Sequence, residues 1–150
     1  MTKTKSPPKK TAAKTKPPAG YSGTPLVAKL GVAPGMTVHF ARAPEGYLGD
    51  TLVLPAVKQV ARPTANLDFA QAFVVRRTEL ADAFARIAPK LAKAGMLWIS
   101  WPKKTSPRWV ELDENIVREV GLAAGLVDVK VCAVDHDWSG LKFVRRKADR

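Results

Sequence analysis

The sequence predicts an α/β fold: a mostly parallel sheet flanked by helices and closed by an antiparallel hairpin. Three observations carry this expectation. Strand-like apolar runs alternate with segments of helical periodicity, and the connections are short. Residues 67–75 (LDFAQAFVV) and 96–101 (MLWISW) are apolar nearly throughout, as strands covered on both faces are. The last two strand-like runs, 127–134 (VDVKVCAV) and 141–146 (LKFVRR), are joined by the loop DHDWSG at 135–140, with no helix between them.

The elements follow in order. Thr24 and Pro25 suit the N-cap and first position of a short helix that Gly31 ends. Pro34-Gly35 makes a turn into a strand over 36–41, with Met36, Val38 and Phe40 on one face. A short helical or irregular passage over 47–53 leads to a brief strand at 57–61, a loop at 62–66 and the strand at 67–75. Thr78 is positioned to cap the best helix, whose Leu80, Ala83, Phe84, Ile87 and Leu91 recur at helical spacing. Pro89 breaks it near Ala88 and Gly95 closes the segment. The strand at 96–101 follows, then a loop through Pro107 and a helix over about 112–123 that buries Leu112, Ile116, Val117 and Val120.

At 150 residues the chain has the length of one domain, expected over 21–150 behind a basic tail over 1–20. No apolar run approaches the roughly 20 residues that span a bilayer, and the start lacks the apolar segment of a signal peptide. One cysteine, Cys132, excludes an internal disulfide. A cytoplasmic location is the expectation these features set. The net charge is +12, and half of it sits on Lys3, Lys5, Lys9, Lys10, Lys14 and Lys16, with no acid among residues 1–18. Such a stretch of Lys, Thr, Pro and Ala buries too little apolar area to order itself. It either solubilises the chain or contacts nucleic acid through counterion release; the latter predicts salt-sensitive DNA binding that a chain starting at Tyr21 loses.

The succession of elements resembles a shortened Rossmann-like methyltransferase fold. The stretches YSGTPLVAKLGVAPG, APEGY, LWISWPKK, GLVDVKVCAVD and WSGLKFVRR together resemble the bacterial family known as domain of unknown function 3052, over about residues 21–150. That family implies no activity. The fold resemblance implies a site for S-adenosylmethionine, but a Gly-rich turn after the first strand and an acid ending the second are needed to hold it. Here the turn offers Gly46 between Glu45 and Tyr47, and VKQVAR at 57–62 offers no acid. The expectation is therefore a non-enzymatic binding or regulatory protein, with no cofactor, or a diverged methyltransferase.

Ligands of open α/β sheets bind beyond the carboxyl ends of the strands. Three segments are expected there: Arg42 with Glu45, Gly46 and Tyr47; Arg76, Arg77 and Thr78; and Ser100, Trp101, Lys103 and Lys104. Five cations on one rim, beside a helix N-terminus, point to an anionic small molecule or an acidic partner. Tyr47 and Trp101 could stack a base there. Asp135-His136-Asp137 reads as a loop and not as a metal site, since three consecutive residues cannot all point inward. His39 is expected in the core, Cys132 as a buried small side chain, and Trp98 and Trp101 on opposite faces of their strand.

Overall fold

A computed structural model describes residues 24–150. The lysines at 3–16 lie outside them. The described residues form three α-helices and one six-stranded sheet. In chain order these are α1 (Leu26–Leu30), β1 (Thr37–Ala41), β2 (Lys58–Val60), β3 (Leu67–Phe73), α2 (Arg77–Ile87), β4 (Leu91–Pro102), α3 (Glu114–Ala123), β5 (Leu126–Ala133) and β6 (Trp138–Arg145). The strand order is β2-β1-β3-β4-β6-β5. The first four are mutually parallel, and β6 runs antiparallel to both β4 and β5. The expected class and the closing hairpin are both present.

Alternation along β4 separates two apolar layers. Leu97, Ile99 and Trp101 pack with Leu80, Phe84 and Ile87 of α2 and Val117 of α3. Met96 and Trp98 join Leu30 of α1, Tyr47, Leu52 and Phe73 on the other face. Trp98 and Trp101 do face opposite sides, and both are core. The Trp98 Nε1 donates to the Leu30 carbonyl at 2.8 Å, which fastens the five-residue α1 to the sheet. So short a helix has little stability of its own, and this bond with the burial of Leu30 holds it. The partner strand makes room for the indole: a Cβ on Gly140 would stand 3.1 Å from Trp98.

The boundaries depart from expectation in four places. Thr78 does not cap α2; the helix begins at Arg77 behind Arg76. Glu79 reaches back instead, accepting from the Val75 amide at 2.7 Å and the Arg76 amide at 3.3 Å. Second, β4 begins at Leu91, not at 96, and Gly95 lies within it. The ladder slips between Leu67↔Leu91 and Phe69↔Met96. Gly95 sits at that bulge because a Cβ there would lie 2.4 Å from the Leu67 carbonyl oxygen. Third, Leu112 precedes α3, and the Asp113 carboxylate caps it by accepting from Ile116 N at 2.9 Å. Fourth, β6 starts at Trp138, because Asp135 accepts from the Asp137 amide at 2.8 Å and the Trp138 amide at 2.9 Å and tightens the loop. Cys132 is half-buried and not enclosed. Burial still pushes its thiol upward, partly offset by Lys29 and Lys130, so the nucleophilic thiolate is disfavoured.

Candidate functional site

The strand order sets where a ligand meets the sheet. From β1 the chain moves outward to β2, then returns past β1 to β3, so the order reverses between β1 and β3. The carboxyl ends of β1, β3 and β4 lie on one rim, since these strands are parallel and adjacent. The three segments expected there, at 42–47, 76–78 and 100–104, follow those ends.

The segment after β1 is unlike a cofactor helix. Gly46 has φ +81° and Gly49 φ +101°, both left-handed; Gly46 precedes one irregular turn over Tyr47–Thr51 and Gly49 lies within it. Gly49 was not singled out from the sequence; its spacing from Gly46, with one aromatic between, is the signal that marks the turn. The Asp50 carboxylate closes over Gly46, where a Cβ would meet Oδ2 at 3.0 Å.

Tyr47 is folded inward, 3% exposed. Its ring meets Phe73 at 4.7 Å, and Phe73 meets Trp138 edge-on at 5.1 Å. The Tyr47 hydroxyl donates to Gln71 Oε1 at 2.8 Å, and Gln71 Nε2 donates to Ser100 Oγ at 3.0 Å. Gln71 and Ser100 are wholly enclosed. This polar chain ties the turn after β1 to β3 and β4. Burial drives the phenol of Tyr47 far above its usual range, slightly opposed by the Gln71 bond. The native state thus holds this proton more tightly than the unfolded state. The resulting stability is complete below about pH 10 and falls above it, by about 1.4 kcal/mol per pH unit at most. Alkaline denaturation of Tyr47→Phe should show a shallower loss above pH 10 than the parent chain.

The cleft beside this turn has a volume of about 260 Å³ and lies between residues 44–51 and the β5–β6 loop. Its charged lining is Glu45, Asp50, Asp135, Asp137 and Arg108, with Tyr47 and Trp138 as its aromatic members. Trp138 is 6% exposed, and its indole N–H has no acceptor among the described residues. The concavity is therefore acidic, which the sequence reading did not anticipate. The expected cations are distributed otherwise. Arg42, in a left-handed conformation at φ +59°, pairs with Glu79 at 3.2 Å across the point where strand order reverses. Arg76, Arg77 and Lys104 are exposed and Lys103 is half-exposed. The Arg77 amide donates to Glu111 at 2.8 Å, and the Lys103 amide donates to the Asp137 carbonyl at 2.8 Å. Ser100 and Trp101 are interior, and Thr78 is exposed in the first turn of α2. Asp50 lies more than 80 residues before Asp135 and Asp137, and they meet only because β6 pairs with β4 and carries the β5–β6 loop to the rim.

Among the described residues no three His, Cys, Asp or Glu side chains stand close enough to hold a metal ion. No helix among them is long and apolar enough to cross a membrane.

The sheet order, its parallel first four strands and the antiparallel closing hairpin together define a methyltransferase-type α/β fold. Solved structures agree at the level of fold. A TehB-like SAM-dependent methyltransferase from Corynebacterium glutamicum is 12% identical with a TM-score of 0.55, covering 81% of this chain and 85% of that one. The 1,6-didemethyltoxoflavin-N1-methyltransferase of Burkholderia thailandensis, with bound S-adenosylhomocysteine, is 18% identical with a TM-score of 0.55, covering 81% and 75%. The magnesium protoporphyrin IX methyltransferase of Synechocystis, with bound SAM, is 16% identical with a TM-score of 0.53, covering 81% and 74%. No curated protein matches the chain. The chain belongs to the family described as protein of unknown function (DUF3052), which matches residues 73–147. The match runs from the end of β3 to just past β6 and so includes the loop bearing Asp135 and Asp137.

Proposed function

We propose that this protein is a binding protein on a methyltransferase-type scaffold, and that it holds a small organic cation in the rim cleft. The observation that carries the reading is the cleft's lining: Glu45, Asp50, Asp135 and Asp137 against Arg108 alone. Carboxylates sharing a concavity raise the local concentration of a positive partner. Tyr47 and Trp138 stand behind these carboxylates, buried, and keep the cleft wall in place. The carboxylates are too dispersed for a compact metal ion, so the complementary group is larger, an ammonium or sulfonium. The anion expected from the sequence finds less support, because its cations are spread around the rim and Arg42 is already paired.

Catalysis has weaker support than binding. The turn after β1 folds Tyr47 into the core in place of a Gly-rich cofactor turn, and β2 ends without an acid beside the rim. The volume of about 260 Å³ is below the roughly 300–1,000 Å³ typical of sites for drug-sized ligands, so it suits a small ammonium better than a whole nucleoside cofactor. A diverged methyltransferase remains the second reading, favoured by the fold likeness and by the positive sulfonium of S-adenosylmethionine.

Calorimetry with S-adenosylmethionine, its neutral thioether product S-adenosylhomocysteine, and putrescine tests both. The binding reading expects a positive probe to saturate one site. It also expects the Glu45→Gln/Asp50→Asn double variant to weaken it at least tenfold with the fold intact. Equal, tight binding of the sulfonium and the thioether, with methyl transfer to any acceptor, would establish the enzyme instead. Saturation of this cleft by inorganic phosphate, with no response to either cation, would overturn the charge argument.

A further inference from the structure

A second groove lies on the opposite face of the sheet, between β2 and α2. It has a volume of about 390 Å³ and shares no lining residue with the acidic cleft. Its existence follows from topology. β2 is a three-residue strand at the sheet edge, while α2 and α3 pack over the more central strands. The face formed by β1 and β2 is therefore bordered by α2 on one side and left open on the other.

The floor is made of small side chains, including Ala41, Ala72 and Ala83, with Val74 beside them. Small side chains leave room for a planar ring to approach the sheet. One polar group interrupts this floor. His39 is 5% exposed and lines the groove, and its Nδ1 is 3.0 Å from the Val60 carbonyl oxygen. A carbonyl only accepts, so Nδ1 carries the proton and donates. In the neutral imidazole the other nitrogen, Nε2, is a lone-pair acceptor, and it has no partner among the described residues. A buried acceptor without a donor is uncommon in native proteins. The wall charges are settled except for one. Arg42 pairs with Glu79 at 3.2 Å and Arg86 with Asp82 at 3.0 Å. Arg62, on the β2 side, has no carboxylate partner among the described residues.

We infer that this groove is a binding site for a flat heteroaromatic ring carrying an anionic group, the build of a nucleoside monophosphate. The ring lies on the alanine floor. A ring N–H or amino group donates to His39 Nε2, supplying the missing donor. The phosphate faces Arg62, whose planar fork suits it. The groove volume falls within the range of small-molecule sites.

Nuclear magnetic resonance on the whole chain tests this without relying on any activity. The probes are the four common ribonucleoside monophosphates, adenosine and inorganic phosphate, and the reporters are the His39 imidazole nitrogens and the Trp138 indole N–H. At least one monophosphate is expected to shift His39 Nε2 saturably, leaving Trp138 unmoved. Adenosine should bind at least tenfold more weakly than adenosine monophosphate if the latter is that ligand, and phosphate alone should leave Nε2 unmoved. Arg62→Gln, an exposed change on the sheet edge, should weaken the monophosphate at least fivefold without altering the melting temperature. His39→Gln retains an acceptor and should bind where His39→Leu does not. No saturable shift at His39 with any monophosphate overturns the inference, as does full affinity in Arg62→Gln. Shifts confined to Trp138 overturn it too and place the ligand in the acidic cleft, so the two sites fail separately.

Discussion

Gly121→Ala is expected to destabilise the fold by about 2–3 kcal/mol, although alanine is the better helix former. Gly121 is buried in α3 where that helix crosses β6. A Cβ built there would lie 2.1 Å from Phe143 Cε1, 2.6 Å from Cζ and 2.8 Å from Cδ1. The Phe143 ring cannot swing aside freely: it is fully buried and stands edge-on to Phe84 of α2 at 5.0 Å and 89°. An added methyl must therefore push α3 off the sheet or break the ring pair. The intrinsic gain from replacing a helical glycine is about 1 kcal/mol; overpacking of a close-packed core costs about 1–3 kcal/mol and more for so close a clash, about 3–4 kcal/mol here. The balance is unfavourable because the clash is with an enclosed ring and not with the end of a flexible chain. Thermal unfolding should show a fall of roughly 5–15 °C for a chain of this size. Glu119→Ala, exposed on the same helix, should stay within about 0.5 kcal/mol of the parent. Phe143→Leu introduced together with Gly121→Ala should recover part of the loss, since it removes the ring atoms that collide. A Gly121→Ala chain as stable as the parent would mean that α3 does not approach β6 this closely.

That clash also shows what a sequence reveals and what it hides. Period and punctuation were legible: the apolar runs of β3 and β4, the helical spacing of Leu80, Ala83, Phe84 and Ile87, and the Gly31 stop after α1 each follow from local physics. The hairpin was legible because two strand-like runs had nothing helical between them. Gly121 carries no such mark, since glycine within a helix reads as a weak point until the ring opposite is known. The same holds for Gly95, which reads as a helix stop and is instead a strand bulge against the Leu67 carbonyl. Thr78 had the right chemistry for a cap, yet Glu79 took the role from inside the helix. At the rim, the positions of the loops followed from the fold class. Their electrostatics did not, because charge in a cleft depends on which side chains share it. Glu45 and Asp50 meet Asp135 and Asp137 only through the long-range pairing of β6 with β4.

Gln71→Leu is the substitution expected to link stability to binding most directly. Gln71 lies between Phe69 and Phe73 on one face of β3, an apolar site by neighbourhood, and sequence pattern alone would place a hydrophobe there. It is polar because two hydroxyls converge on it, the donor of Tyr47 at 2.8 Å and the acceptor of Ser100 at 3.0 Å. Leucine fills the space but abandons both. An enclosed hydroxyl without a partner costs about 1–3 kcal/mol, so the single change should cost about 2–4 kcal/mol in chemical denaturation. Removing the orphaned groups as well should reverse much of it: Tyr47→Phe/Gln71→Leu/Ser100→Ala should be more stable than Gln71→Leu alone. That inversion is the signature of a satisfied polar chain, because independent contacts would make the triple variant the worst. The functional consequence follows from where the chain is anchored. Tyr47 is the side chain that pins the turn after β1, and the same turn carries Glu45 and Asp50 to the acidic cleft. In the triple variant the fold recovers while the turn loses its polar tether, so cation affinity should stay weakened at least threefold even as stability returns. Parallel recovery of both would show that ring packing of Tyr47 on Phe73 is enough to hold the turn, and that the hydrogen bonds serve stability alone.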